Sequence, residues 1–393
     1  MGHIAVCVPA GTGHVNPTLG LAAELVARGH RVTYAATAAH AAAIADVGAE
    51  VVTYRTKLTD GAPPQFSARD FPSALGSALT EAQSALAQVL PAFGADVPDL
   101  VVHDGTMAWW GRLAAARWQT PVVACWPNFV GNRHWSLNRY VKINPVDPRL
   151  LRMLWRTHRL ARRYGLTALN LLQSAGADAQ LVFLPRAFQF AGDTFGPPYA
   201  FVGPCLTERP SDGSWRPPPR RDVVLVALGT GYHDRTDFYR TCLDAFAATA
   251  WHVVLVLGDR VDPAALGTVP DNVELHRSVP QLQVLRHAAA FVSHAGMGST
   301  MEALTLGVPI VAVPQMTEQR ANADRIAELG LGRHLTPAEV TPARLRDAVT
   351  DVSTDAHVRS ALRAMQDQIR VAGGAAAAAD IVERAASNAR RGG

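Results

Sequence analysis

Short apolar runs recur along the chain, each followed by a longer stretch in which apolar and polar positions alternate with a helical period. In the first half the runs fall at 4–8, 32–36, 51–54, 100–103, 122–126 and 181–184. They are apolar at consecutive positions, so they read as strands covered on both faces. Helical patterns occupy 17–28, 38–47, 73–90 and 107–118. Strand–helix alternation of this kind predicts parallel βαβ units wound into a sheet with helices on both sides. At 210–221, PSDGSWRPPPRR, the pattern breaks. A proline run neither continues a helix nor pairs in a sheet, so it reads as a semi-rigid linker. Strand runs then resume at 223–228, 253–257, 273–276, 290–292 and 310–313. The expected fold is α/β, two doubly wound Rossmann-like domains facing across a cleft. The expected bounds are 1–208, a linker at 209–221, 222–375, and a helical tail at 376–393.

A chain of 393 residues suits two domains of near-equal size. Its 48% hydrophobic and 18% charged content describes a soluble globular protein. A net charge of +4 is too mild to predict a nucleic-acid partner, and it suits an enzyme that handles pyrophosphates. The cysteines, Cys7, Cys125, Cys205 and Cys242, form no C-x-x-C pair. They are expected to be reduced core residues, which argues for the cytoplasm. The first strand begins at residue 4, leaving no room for a signal peptide. No apolar run reaches membrane-spanning length, so no stable membrane insertion is expected. One segment stands apart: 133–163 is rich in arginine and reads as an amphipathic helix, either a solvated face, a lid over a binding site, a surface for an anionic partner, or one that lies on a membrane surface.

Several familiar signatures fail. Gly11-Thr12-Gly13, Gly229-Thr230-Gly231 and Gly296-Met297-Gly298 each lack the third glycine of a dinucleotide fingerprint. There is no P-loop, no zinc pattern and no Asp-x-Asp pair to bridge a metal and a phosphate. No metal and no resident cofactor are therefore expected.

The richest stretch is 294–319, HAGMGSTMEALTLGVPIVAVPQMTEQ. A buried strand runs into the turn Ala295-Gly296-Met297-Gly298, where missing Cβ atoms let backbone approach a ligand. Ser299 and Thr300 are expected to open a helix whose amides and positive dipole end suit a phosphate. Glu302, one turn on, can accept from vicinal hydroxyls such as those of ribose. In the first half, His14 follows a strand in a glycine-rich turn, before a helix expected to start at Pro17. A histidine there is suited to take a proton from a hydroxyl, given an orienting carboxylate. Asp104, at the end of another strand, lies on the same sheet edge.

The residues His294, Gly298, Ser299, Glu302, Glu318 and Gln319, with Gly13-His14 and Pro17, resemble the signatures of the macrolide and antibiotic glycosyltransferases of the UDP-glycosyltransferase superfamily. The likeness extends over most of both halves. It implies the GT-B fold, in which the last helix crosses back onto the first domain. It implies an inverting, metal-independent transfer of a sugar from a UDP- or dTDP-sugar to a hydroxyl of an apolar natural-product acceptor, whether macrolide, polyketide or aromatic. His14 would be the general base and Asp104 its orienting partner. His294, Gly296, Gly298, Ser299, Thr300 and Thr230 would hold the diphosphate, Glu302 the ribose, and Glu318 and Gln319 the sugar. Ser278 and Val279 would lie at the base. Relatives carry Trp where Ser278 stands, so uridine and thymidine both remain open. Thr106, Met107, Trp109, Trp110, Trp126 and Phe129 are the expected acceptor-side residues. A homodimer is left open. Two other readings share the sequence: a sugar-nucleotide 2-epimerase of the same fold, and a catalytically silent nucleotide-binding auxiliary protein.

Overall fold

The computed structural model describes residues 1–58, 67, 69–208, 213–219, 222–229, 231 and 234–392. They form two compact units, Met1–Thr207 with Ile369–Gly393, and Glu208–Gln368.

The first unit runs β1 (His3–Cys7), α1 (Thr12–Ala27), β2 (Arg31–Ala36), α2 (Ala41–Asp46), β3 (Glu50–Thr53), α3 (Phe71–Phe93), β4 (Leu100–Asp104), α4 (Trp109–Trp118) and β5 (Val122–Trp126). It continues through α5 (Asn138–Val141), α6 (Pro148–Arg162), α7 (Ala168–Leu172), β6 (Ala179–Val182) and β7 (Tyr199–Phe201). The strands form one parallel sheet in the order β3-β2-β1-β4-β5-β6-β7. Every residue of β1 is buried, and alternate residues feed opposite layers. Ile4 and Val6 join a core with α1, whereas Ala5 and Cys7 join one with α3 and α4. Burial on both faces is why the strand reads as a continuous apolar run.

The second unit contains β8 (Val223–Ala227), α8 (Thr236–Phe246), β9 (His252–Val256), β10 (Val273–His276), α9 (Gln281–Leu285), β11 (Ala288–Ser293) and α10 (Met297–Leu306). It continues with β12 (Ile310–Ala312), α11 (Thr317–Glu328), β13 (Gly332–His334), α12 (Pro342–Thr354) and most of α13 (Ala356–Ala372). Its sheet is again parallel, in the order β10-β9-β8-β11-β12-β13. The chain returns to the first unit at Ile369, within α13, where the sequence suggested 376. The last helix, α14 (Gly374–Gly392), sets Ala378, Ala379 and Val382 into the core beside α1. Arg28, the C-cap of α1, bonds Asp380 and Glu383 of α14.

Some expectations need correction. The helix expected to start at Pro17 starts at Thr12 and carries Pro17 inside it, because Val15 N–H already closes the first turn on the Gly11 carbonyl (3.1 Å). The helix expected at 107 begins at Trp109, since residues 105–107 wrap the Asp104 carboxylate. Strands β7 and β13 have no counterpart in the apolar pattern; each is three residues long and lies at a sheet edge. Within the linker, Trp215 is fixed to the second unit: its N–H donates to Gln283 and its indole to Glu274. Among the described residues no helix is long and apolar enough to cross a membrane.

Each sheet has one place where neighbouring strands send their chains to opposite sides, β1/β4 in the first and β8/β11 in the second. Doubly wound sheets bind ligands beyond the carboxyl ends of such strands.

Candidate active site

In the first unit, the turn after β1 and the end of β4 meet at this switch point. Cys7 pairs with His103 across the sheet, so Asp104 extends just beyond the register of β1. His14, in the first turn of α1, brings Nδ1 to 2.8 Å from Asp104 Oδ2. Asp104 is fully buried, and its other oxygen accepts the Thr106 and Met107 amides, both at 2.9 Å. The carboxylate is thus fixed by two backbone donors and turned towards the imidazole. The His14 side chain keeps 22% of its surface exposed. A buried carboxylate on Nδ1 favours the tautomer whose Nε2 carries a lone pair, and it stabilises the imidazolium once a proton arrives.

The acceptor-side expectations divide. Thr106 and Met107 are half-buried and adjoin Asp104. Trp109 and Trp110 are both buried in the core that α4 shares with α3 and the sheet, and Trp110 meets Tyr54 edge-on. Trp126 lies with its ring against Gly105 and donates to Gln180 (3.0 Å). Phe129 belongs to an aromatic cluster with Trp135, Phe188 and Phe190.

In the second unit, the same topological logic sets β8 beside β11. Gly229 follows β8 and His294 follows β11, and the His294 ring is wedged between glycines. A Cβ on Gly229 would come within 2.6 Å of the ring, and one on Gly296 within 2.3 Å of Nε2. Gly229 also has a φ of 73°, which a side chain resists. The role of Gly296 is therefore to make room for His294, whereas a Cβ at Gly298 would meet nothing within 4 Å. Burial pushes His294 down to about 4, against the opposing pull of the Ala227 carbonyl. At neutral pH the ring is an uncharged hydrogen-bonding group and not a cation.

Helix α10 begins at Met297, not at Ser299 and Thr300. The Thr300 amide is already spent on the Gly296 carbonyl (2.9 Å), and its buried hydroxyl has no hydrogen-bond partner among the described residues. The first-turn amides belong to Met297, Gly298 and Ser299, where an anion is favoured by unsatisfied N–H groups and by the helix dipole. Gln281, on α9, was not singled out in the sequence. Its Nε2 donates to Ser299 Oγ at 3.1 Å and to Glu302 at 2.5 Å. Its sequence signal was its place in the run Val279-Pro280-Gln281, directly after Ser278. Ser278 is exposed and Val279 half-buried. Glu318 is half-buried in the first turn of α11, and Gln319 accepts the Gln315 amide (2.8 Å). Thr230 lies outside the described residues.

The turn before α10 is under backbone strain. Ala295 has a φ of 59°, unusual for a residue with a Cβ. Ser293 Oγ accepts its amide (3.1 Å), and buried Asn322 on α11 donates to its carbonyl (2.8 Å). Nothing in the local sequence announced Asn322, because its partner is 27 residues away. A cavity of about 140 Å³ beside Gln315 is lined by Arg235, Phe238 and Leu335 and includes none of the expected donor residues.

Comparison with known proteins adds an independent line. Residues 240–383 match the family model described as "Erythromycin biosynthesis protein CIII-like, C-terminal domain". Over 98% of its length the chain is 40% identical to the demethyllactenocin mycarosyltransferase of Streptomyces fradiae, 86% of which is covered. It is 37% identical to the NDP-glycosyltransferase YjiC of Bacillus licheniformis, with 97% of each chain covered. Among solved structures, the calicheamicin glycosyltransferase superposes with a TM-score of 0.84 at 37% identity, covering 98% of both chains.

Proposed function

Because the chain belongs to the GT-B glycosyltransferases related to the macrolide and NDP-sugar transferases, we propose that it is an inverting enzyme that moves a sugar from a UDP- or dTDP-sugar to a hydroxyl of an apolar natural-product acceptor. The observation that carries the assignment of the base is the 2.8 Å contact between His14 and buried Asp104 at the switch point of the first sheet. His14 Nε2 takes the acceptor's hydroxyl proton while Asp104 holds the resulting imidazolium at Nδ1. The acceptor oxygen forms a bond to the anomeric carbon from the face opposite the nucleotide. The bond from that carbon to the diphosphate oxygen breaks, and the nucleoside diphosphate leaves with the electron pair. An α-linked donor thereby gives a β-glycoside.

On the donor side, the amides of Met297, Gly298 and Ser299 meet the diphosphate, and the neutral His294 ring adds a hydrogen bond. Open space above Gly298 supports a close approach of phosphate to backbone. Glu302 takes the ribose hydroxyls, oriented by Gln281. Glu318 and Gln319 meet the sugar. Charge on the leaving group is handled by aligned dipoles, which need no reorganisation during the step, and the reaction is proposed to need no metal. The test is incubation with UDP- and dTDP-sugars and a panel of macrolide, polyketide and aromatic acceptors. Acceptor-dependent product that survives EDTA is expected. Donor turnover without acceptor would instead indicate an epimerase, and loss of transfer on chelation would contradict metal independence.

A further inference from the structure

Helix α6 carries a surface that the reaction does not use. Its inner face, Leu150, Thr157, Leu160 and Ala161, is buried. Its outer face holds Leu151 at 52% and Trp155 at 56% exposure, one turn apart. Val146 and Leu169, on the segments flanking the helix, are exposed as well. Together these are four of the seven exposed large hydrophobics among the described residues, gathered in one stretch of chain. Arginines surround them. Asp147 caps the helix and is occupied by Arg149 (2.7 Å). Arg152, Arg156, Arg159, Arg162 and Arg163 have no carboxylate partner among the described residues. Arg159 lies over the Trp155 ring at 5.0 Å.

We propose that this face of α6 docks on an anionic phospholipid surface. A solvated arginine helix has no need of an outward Trp and Leu, and an apolar contact with a neutral partner has no need of unpaired guanidinium groups. An anionic bilayer satisfies both: headgroup phosphates meet the arginines, while the indole and the Leu151 side chain enter the interface. A second copy of the chain is disfavoured, since it would set like charges against each other. The inference rests on these residues alone and stands whatever reaction the chain performs.

The test is co-sedimentation of the full chain with large vesicles of phosphatidylcholine, with and without phosphatidylglycerol. Binding is expected on the anionic vesicles and not on the neutral ones, and it should fall when salt rises from about 0.05 M to about 0.5 M. Two variants, L151A with W155A, and R152A with R156A and R159A, should each weaken anionic binding about tenfold or more. All five positions are exposed, so unchanged melting temperatures will show that the variants fold. Equal binding to both vesicle types, or anionic binding retained by the arginine variant, overturns the proposal. So does binding to soluble polyglutamate with none to vesicles, which would assign the face to an acidic protein.

Discussion

Asp104 Oδ2 faces His14 Nδ1, and Oδ1 takes two amides, so the two oxygens have different tasks. Replacing Asp104 by Asn preserves an oxygen for the amides and turns an NH2 group towards His14. The imidazole must then accept at Nδ1, its proton moves to Nε2, and it can no longer act as a base. Transfer by D104N is expected to fall roughly 10²- to 10⁴-fold with little change in donor KM, read by steady-state kinetics. A proportionate rise in KM would point to a structural role instead. Another residue reports on stability. Burial, with Arg112 nearby, pushes His103 down to about 4. The unfolded chain binds a proton at about 6.5. Between these values the unfolded state holds more protons, so stability is present above pH 6.5 and is lost as pH falls towards 4. Urea denaturation should show a shallower fall for H103Q than for the parent, and identical slopes would contradict the assignment.

At the scale of elements, the central strands were readable because burial on both faces leaves an unbroken apolar signature. β7 and β13 were not, because three-residue edge strands leave none. The candidate site divides the same way. Asp104 was legible because it ends a recognisable strand, and His14 and the turn before α10 because each follows one. The Asn322 clamp was not, because its partner is 27 residues away, and the true start of α10 and the packing of Gly296 on His294 were not, because they depend on the backbone path of the turn and not on residue pattern. The glycines make a sharp pair for experiment. Gly298→Ala meets nothing within 4 Å, so it is expected to keep the melting temperature and to weaken nucleoside diphosphate binding, read as a smaller thermal shift. Gly296→Ala collides with the His294 ring and is expected to lower stability outright by about 1–3 kcal/mol. Equal behaviour of the two variants would contradict the different roles assigned to them.

Across the whole molecule, the chain leaves the first unit, builds a second of the same architecture, and returns through α13 and α14. The return is a packing interaction before it is an electrostatic one: Val382 is fully buried, whereas the carboxylates that meet Arg28 are partly exposed. Val382→Ala is expected to cost roughly 1–3 kcal/mol, and Arg28→Ala less, measured by chemical denaturation. The reverse order would mean that ion pairs hold the tail. Two doubly wound halves were visible in the hydrophobic pattern, but the residue at which α13 changes unit was not, since a helix crossing a boundary keeps its period.

The central assignment is His14 as the base of a sugar transfer. The most direct measurement is glycoside formation from a UDP- or dTDP-sugar and an apolar acceptor, followed by mass spectrometry for the parent and for His14→Ala. Acceptor-dependent product is expected for the parent and a loss of roughly 10²-fold or more for the variant, with nucleotide-induced thermal stabilisation retained. Product formed by the variant at the parent's rate would contradict that assignment.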